Sequence, residues 1–290
     1  MTFATTFATY PTLLYGSAAL LGLLIGSFIN VVIYRLPIML ERTWQEQISE
    51  SRSELSSETF NLAVPRSRCP TCSAQLSAIE NVPVLSYLAL RGRCRHCKSA
   101  IPRRYPLVEL GASLISVLIV MTFGYTLSAL AYLIFAWCLL TLSLIDLNHY
   151  LLPDDITLPL LWLGLLVSAT GLGLPEVSLS DSVVGAAAGY FSLWSLFWAF
   201  LFATGKEGLG YGDFKLLAAL GAWLGWQALL PILLLSSLTG AVIGLALIAF
   251  GGRERGAPLP FGPFLAVAGF SMLVWGPKIL AIYTDLFSGL

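Results

Sequence analysis

The stretch LSALAYLIFAWCLLTLSLID, residues 127–146, runs nineteen residues without a charge and then ends on an aspartate. A helix needs roughly 20 apolar residues to cross a bilayer, so this reads as one crossing with Asp146 at its edge. A carboxylate at membrane depth is costly and rare, which makes it a functional hypothesis by default. A second one, Asp213, stands in Gly210-Tyr-Gly-Asp213 at the head of another apolar run. Two such residues, one behind a glycine-rich backbone, point to a catalytic pair at the edge of a membrane.

The composition agrees with the membrane reading. The chain is 57% hydrophobic and 11% charged, with a mean hydropathy of +0.81. A soluble globular domain carries about 25% charged residues, so that class is excluded. Formal net charge is zero, yet 11 of the 16 Lys and Arg residues fall between Arg35 and Arg104. Before the first apolar stretch there is no basic region, and no small-residue cleavage site follows it, so it is expected to stay as a span.

Apolar runs bounded by charge, Gly or Pro predict an all-α polytopic membrane protein of about eight transmembrane helices, at 12–34, 107–123, 127–145, 155–173, 182–204, 214–227, 229–250 and 261–284. Gly225, Gln227 and Pro231 blur the boundary between the sixth and seventh. With eight spans, the loops at 35–106, 146–154, 205–213 and 251–260 share one side, and with the adjoining helix ends they hold every Lys and Arg except Lys278. The positive-inside rule then puts these loops in the cytoplasm and both chain termini outside. Three spans carry Gly-x-x-x-Gly: Gly22 with Gly26, Gly185 with Gly189, and Gly240 with Gly244. That spacing lets helix backbones approach closely, either within the chain or in a homodimer.

The cytoplasmic loop, 35–106, has two parts. Residues 38–62 are polar, mix Glu with Arg, and read as a solvated helix. Cys69-Pro-Thr-Cys72 and Cys94-Arg-His-Cys97 follow, two Cys-x-x-Cys pairs separated by 21 residues. Four thiolates in two tight pairs match a structural zinc site. Paired disulfides would need an oxidising compartment, against the cytoplasmic placement. Cys138 lies within a span and reads as a small core residue. A closed tetrahedral zinc leaves no open position for chemistry, so the loop is expected to be organised by its metal.

Asp146 and Asp213 fall on the same membrane face. Two carboxylates held close share a proton, so one can activate water while the other protonates a leaving amine. Asp213 reads equally well as an exposed helix N-cap, and capping is the stronger reading for Asp154 and Asp155. Thr204 to Gly208 lacks Gly-x-x-x-x-Gly-Lys-Ser/Thr, so no nucleotide site is expected, nor a nucleic-acid partner.

These residues resemble the bacterial type IV prepilin peptidases, bifunctional leader peptidases and N-methyltransferases of pilus and type II secretion systems. The likeness runs nearly end to end. It takes in Gly26-Ser-Phe-Ile-Asn-Val-Val-Ile-Tyr-Arg-Leu-Pro37, the paired Cys-x-x-Cys loop, Glu80-Asn-Val-Pro-Val-Leu-Ser-Tyr87 and Arg104-Tyr-Pro-Leu-Val-Glu109. It continues with Ile145-Asp146, Leu152-Pro-Asp154 and Gly210-Tyr-Gly-Asp-Phe-Lys215. The resemblance implies that Asp146 is the partner of Asp213. It implies prepilin and pseudopilin substrates whose basic leader ends in glycine, cleaved at the bacterial inner membrane, and S-adenosylmethionine as methyl donor. It divides the chain into a first helix (1–34), a methyltransferase-associated loop (35–106) and an aspartyl peptidase domain (107–290). Within the matched loop motifs, Glu80, Gly92 and Glu109 are the candidates for holding the donor. A Gly-x-Gly-Asp intramembrane protease with other substrates is an alternative, against which the cysteine loop argues. An ion-coupled transporter would place its carboxylates near the bilayer midplane and show internal repeats, neither of which this sequence does.

Overall fold

The computed structural model describes residues 7, 9–48, 60–206, 208–251 and 259–288. Among them the chain is helical, with no strand beyond two isolated bridges in the cysteine loop. It divides into two compact units, Met1–Ala129 and Leu130–Leu290.

The first unit contains α1 (Pro11–Ile48), the short α2 (Leu85–Ala89) and α3 (Arg104–Phe123). α1 continues as helix through Pro37 well past the apolar segment, so the polar stretch from residue 38 is helical as far as Ile48. The expectation for the residues after that up to 59 lies outside the described residues. α1 packs along α3 at two glycines. A Cβ on Gly22 would stand 2.6 Å from the Ser113 Cα, and one on Gly26 would stand 2.6 Å from the Glu109 Cα.

The second unit holds most of α4 (Leu127–His149), followed by α5 (Asp154–Ala169), α6 (Leu179–Thr204), α7 (Tyr211–Leu224), α8 (Leu229–Phe250) and α9 (Gly262–Ser288). Its centre is α7, in which every residue from Leu216 to Leu224 is buried. A helix apolar on all sides must be surrounded by protein or lipid, and here α5, α6 and α9 surround it. α6 reaches it through small residues: Gly185 lies against the Gly221 carbonyl, and Gly189 against Leu217 and Ala218. α5 reaches it through Gly164, which lies over the Trp223 indole, while the Trp223 Nε1–H donates to the Leu160 carbonyl at 2.8 Å. Gly240 and Gly244 face Phe264 and Leu259. All three Gly-x-x-x-Gly pairs thus pack within the chain.

Among the described residues six helices, α1, α3, α4, α6, α8 and α9, are long and apolar enough to cross a membrane. The other two of the expected eight form where the sequence places them but are shorter. α5 has 16 residues and α7 has 14, about 24 and 21 Å at about 1.5 Å per residue, against a hydrocarbon core of about 30 Å. Gly225 stops α7: at φ +77° it turns the chain into a 3-10 turn over Trp226–Ala228, which leads into α8. This is the boundary the sequence left blurred.

Candidate active site

Asp146 lies in the last turn of α4, and Asp213 in the first turn of α7, three residues after its N-cap, Gly210. They are 5% and 6% exposed, too buried for solvated caps. Each carboxylate is held by one backbone amide. The Gly210 N–H donates to Asp213 Oδ2 at 3.1 Å, and the Gly262 N–H, at the start of α9, donates to Asp146 Oδ2 at 2.9 Å. Gly262, beside Asp146, and Gly212, beside Asp213, both border Leu152, so the two helix ends meet around one side chain. Asp213 Oδ1 is buried and accepts no hydrogen bond from the protein.

Two glycines make room for this arrangement. A Cβ at Gly262 would lie 2.6 Å from Asp146 Oδ2, and one at Gly212 would lie 2.7 Å from the Leu152 Cβ. Leu152 is itself buried and also borders Gly262, forming an apolar floor between the two. The sequence reading missed Gly262 and Leu152. Their signal was Pro260-Phe-Gly-Pro263, a glycine between prolines at the head of an apolar run.

Asp154 and Asp155 do not cap α5. The N-cap is Pro153, and both acids sit in the first turn without a capping hydrogen bond. There they complement the helix dipole. Asp154 in addition takes the Lys215 ammonium at 2.7 Å on both oxygens, tying the start of α5 to that of α7.

In the first unit the four cysteines converge. The Sγ atoms of Cys69, Cys72, Cys94 and Cys97 lie within 4.8 Å of one another, and none is in a disulfide. The Cys69–Cys97 sulfur separation is 3.8 Å, the edge expected of a sulfur tetrahedron of about 3.8 Å around a metal at about 2.3 Å. Each pair sits on the same knuckle. Ser73 and Lys98, at φ +56° and +61°, return their amides to the carbonyls of Cys69 and Cys94. The amides of Cys72 and Thr71 draw the Cys69 thiol down to about 6. The Ser99 hydroxyl draws Cys97 down as well. Despite the Ala74 amide, burial and the neighbouring thiols push Cys72 up to about 11. Four convergent sulfurs, two of them drawn toward thiolate, fit a soft divalent metal.

The three donor candidates also lie in this unit, and each has a local partner. Glu80 accepts from the Ser77 amide at 2.9 Å and its hydroxyl at 2.7 Å, and that amide above all lowers the Glu80 carboxyl below its ordinary value. Glu109 Oε2 accepts from the Val84 amide at 2.8 Å and so holds a turn in which Val84 has φ +58°. Neither pairs with an arginine; Asp154 with Lys215 is the only ion pair among the described residues. Gly92 has φ +67°, and a Cβ there would meet the Tyr87 hydroxyl at 2.9 Å. Beside Glu80, Ser77 and Asn81 line a cavity of about 370 Å³, within the ~300–1,000 Å³ range of small-molecule sites.

Two family models match, one on each unit. Residues 20–123 match the bacterial peptidase A24 N-terminal domain, and residues 133–245 match the type IV leader peptidase family. A protein of Aeromonas salmonicida named prepilin leader peptidase/N-methyltransferase is 54% identical over 94% of both chains. The chain belongs to the type IV leader peptidase family. Proteins of the same name from Stutzerimonas stutzeri and Pseudomonas aeruginosa are 51% and 50% identical, covering 95% and 97% of this chain and 96% and 97% of their own. No solved structure matches.

Proposed function

We propose that this protein removes the basic leader from type IV prepilins and type II secretion pseudopilins and then methylates the new N-terminal amine. The observation that carries the peptidase half is the buried pair, Asp146 and Asp213, each with one oxygen tied to a glycine amide. In the hydrolysis one carboxylate is ionised and the other protonated. The ionised member takes a proton from water as its oxygen attacks the scissile carbonyl. The other member gives its proton to the amine nitrogen as the C–N bond breaks. Asp213 Oδ1, which no hydrogen bond engages among the described residues, is the oxygen that meets that water. The Gly262 and Gly210 amides each hold one oxygen of a carboxylate, Oδ2 of Asp146 and Oδ2 of Asp213.

The substrate's apolar helix lies in the bilayer with its leader in the cytoplasm, which puts the scissile bond at the ends of α4 and α7. This arrangement uses eight spans in the bacterial inner membrane, with both termini periplasmic. α7, shorter than the bilayer core, crosses within the protein, whereas α5 buries a single stripe, Thr157, Leu160, Gly164 and Val167. Zinc, held by Cys69, Cys72, Cys94 and Cys97, organises the loop and takes no part in hydrolysis. A homodimer would have to use surface other than the three glycine pairs, which are engaged inside the chain.

S-adenosylmethionine, when bound, supplies the electrophilic methyl group. The protein must place the new amine, whose ordinary pKa is about 8, with its lone pair free. We place the donor in the cysteine loop beside Glu80, where Ser77 and Asn81 line the cavity, with Glu109 and Gly92 fixing the neighbouring Val84 and Tyr87. The deciding experiment incubates the detergent-solubilised protein with a prepilin peptide, with and without S-adenosylmethionine, and reads products by mass. Loss of the leader without the donor, and a further 14 Da (~one methylene) on the product with it, is the expected result. An uncleaved peptide would overturn the reading.

A further inference from the structure

Arg35 closes the Gly26-to-Pro37 motif and has no role in the site described above. It is 8% exposed, and no carboxylate pairs with it among the described residues. Buried charges are ordinarily paired, so a buried guanidinium without an anion needs an explanation. Its Nη1 donates to the carbonyls of Asn61 and Leu62 at 2.8 and 3.4 Å, and Nη2 to that of Pro65 at 2.6 Å. The Phe60 ring lies 5.7 Å from the guanidinium carbon. Carbonyl dipoles and a ring face hold the cation in place but leave its charge unneutralised. Three of the five N–H donors are used, so two remain.

The guanidinium borders the cavity of about 370 Å³ beside Glu80. Across it lie Phe28 and Val31 on the same face of α1, with Ser67, Ser77 and Asn81 from the loop. Two cations, the buried Arg35 and the exposed Arg66, line it with an aromatic ring and several neutral polar groups, a lining that suits a ligand with a carboxylate at one end and an apolar or aromatic body. The other cavity of this unit, about 530 Å³, is bordered by Arg91, Arg93, Arg95 and Lys98. Four cations there would repel a sulfonium.

We infer that Arg35 is the anchor for the amino-acid carboxylate of the methyl donor, seated in the cavity between α1 and the first cysteine knuckle. The inference rests on the methyltransferase reading above. Binding of the donor would supply the anion that the buried guanidinium lacks, with Phe28 placed to cover the sulfonium or the adenine and Asn81 and the serines to bond the ribose.

Equilibrium dialysis of the full-length protein in detergent tests it, with S-adenosylmethionine and decarboxylated S-adenosylmethionine as the two probes. The wild type is expected to prefer the carboxylated donor by about 10- to 100-fold, the worth of a charge-assisted hydrogen bond. Arg35→Gln should bring that ratio close to one, and Arg35→Lys should keep part of it. Asn81→Asp, which adds a negative charge to the lining, should also lower the ratio. Because both probes meet the same folded protein, an Arg35 that merely braces residues 61–65 would weaken them together. An unchanged ratio in Arg35→Gln, or a wild type that binds the probes equally yet methylates its product, overturns the inference alone. A wild type that neither binds S-adenosylmethionine nor methylates overturns the methyltransferase reading and the inference with it.

Discussion

The cysteine cluster and the aspartate pair are built on opposite principles. Each half of the cluster is closed within six residues: two cysteines, a residue at positive φ whose amide returns to the first cysteine's carbonyl, and that cysteine's own amide donating to a later carbonyl form the knuckle without help from the rest of the fold. Such a site tolerates exposure, and two of its four thiols are exposed. The aspartates are 67 positions apart, on two helices, and a third helix contributes the amide that orients one of them. They depend on glycines that let α4, α7 and α9 meet. Local chemistry brings four thiols together, whereas a buried pair of carboxylates has to be assembled by packing.

The largest effect is expected from the pair itself. Asp146→Asn and Asp213→Asn should each lower leader cleavage by at least about 10²- to 10⁴-fold, the contribution of a positioned acid or base, with the protein still folded in the membrane by protease protection. If either variant cleaves at the wild-type rate, these residues are not the acid and base.

Next comes the packing that assembles the pair. In Gly262→Ala the new methyl would press on Asp146 Oδ2 from 2.6 Å, and a displacement of about 1 Å in an active site can cost about 10²-fold. The contact at Gly210 is looser, since a Cβ there would stand 3.3 Å from Asp213 Oδ2. Gly210→Ala should therefore retain more activity than Gly262→Ala in the same peptide assay. The reverse order would place the critical contact on α7 instead of α9.

Metal removal separates the two regions. Cys69→Ser and Cys97→Ser should each release about one zinc per chain, measured by elemental analysis, because a four-thiolate site lacks a spare ligand. Leader cleavage should persist and methylation should fall. Cleavage lost on chelation, in a protein that stays folded, would move hydrolysis to the metal.

The smallest effect belongs to the ion pair beside the site. Asp154 and Lys215 are substantially exposed, and such pairs contribute about 0–1 kcal/mol. Asp154→Asn should shift thermal unfolding slightly and leave most of the cleavage rate. A large loss of rate would give Asp154 a part in catalysis.

Much of this protein is determined by its sequence alone. The apolar runs place the helices because a backbone in lipid must satisfy its hydrogen bonds internally, whatever its neighbours. The Cys-x-x-Cys spacing specifies a metal knuckle because its ligands lie within one turn of chain. Asp146 and Asp213 stand out because carboxylates beside apolar runs are costly. Tertiary structure decided the rest. α7 is too short for a lone span, and only its burial among α5, α6 and α9 explains a helix apolar on every side. The capping reading of Asp154 gave way to an ion pair with a residue 61 positions on. Gly262 at Asp146, and Arg35 buried without an anion, were invisible in the linear chain. Hydrogen bonds and burial between distant residues depend on how the helices pack, and no local spacing encodes that distance.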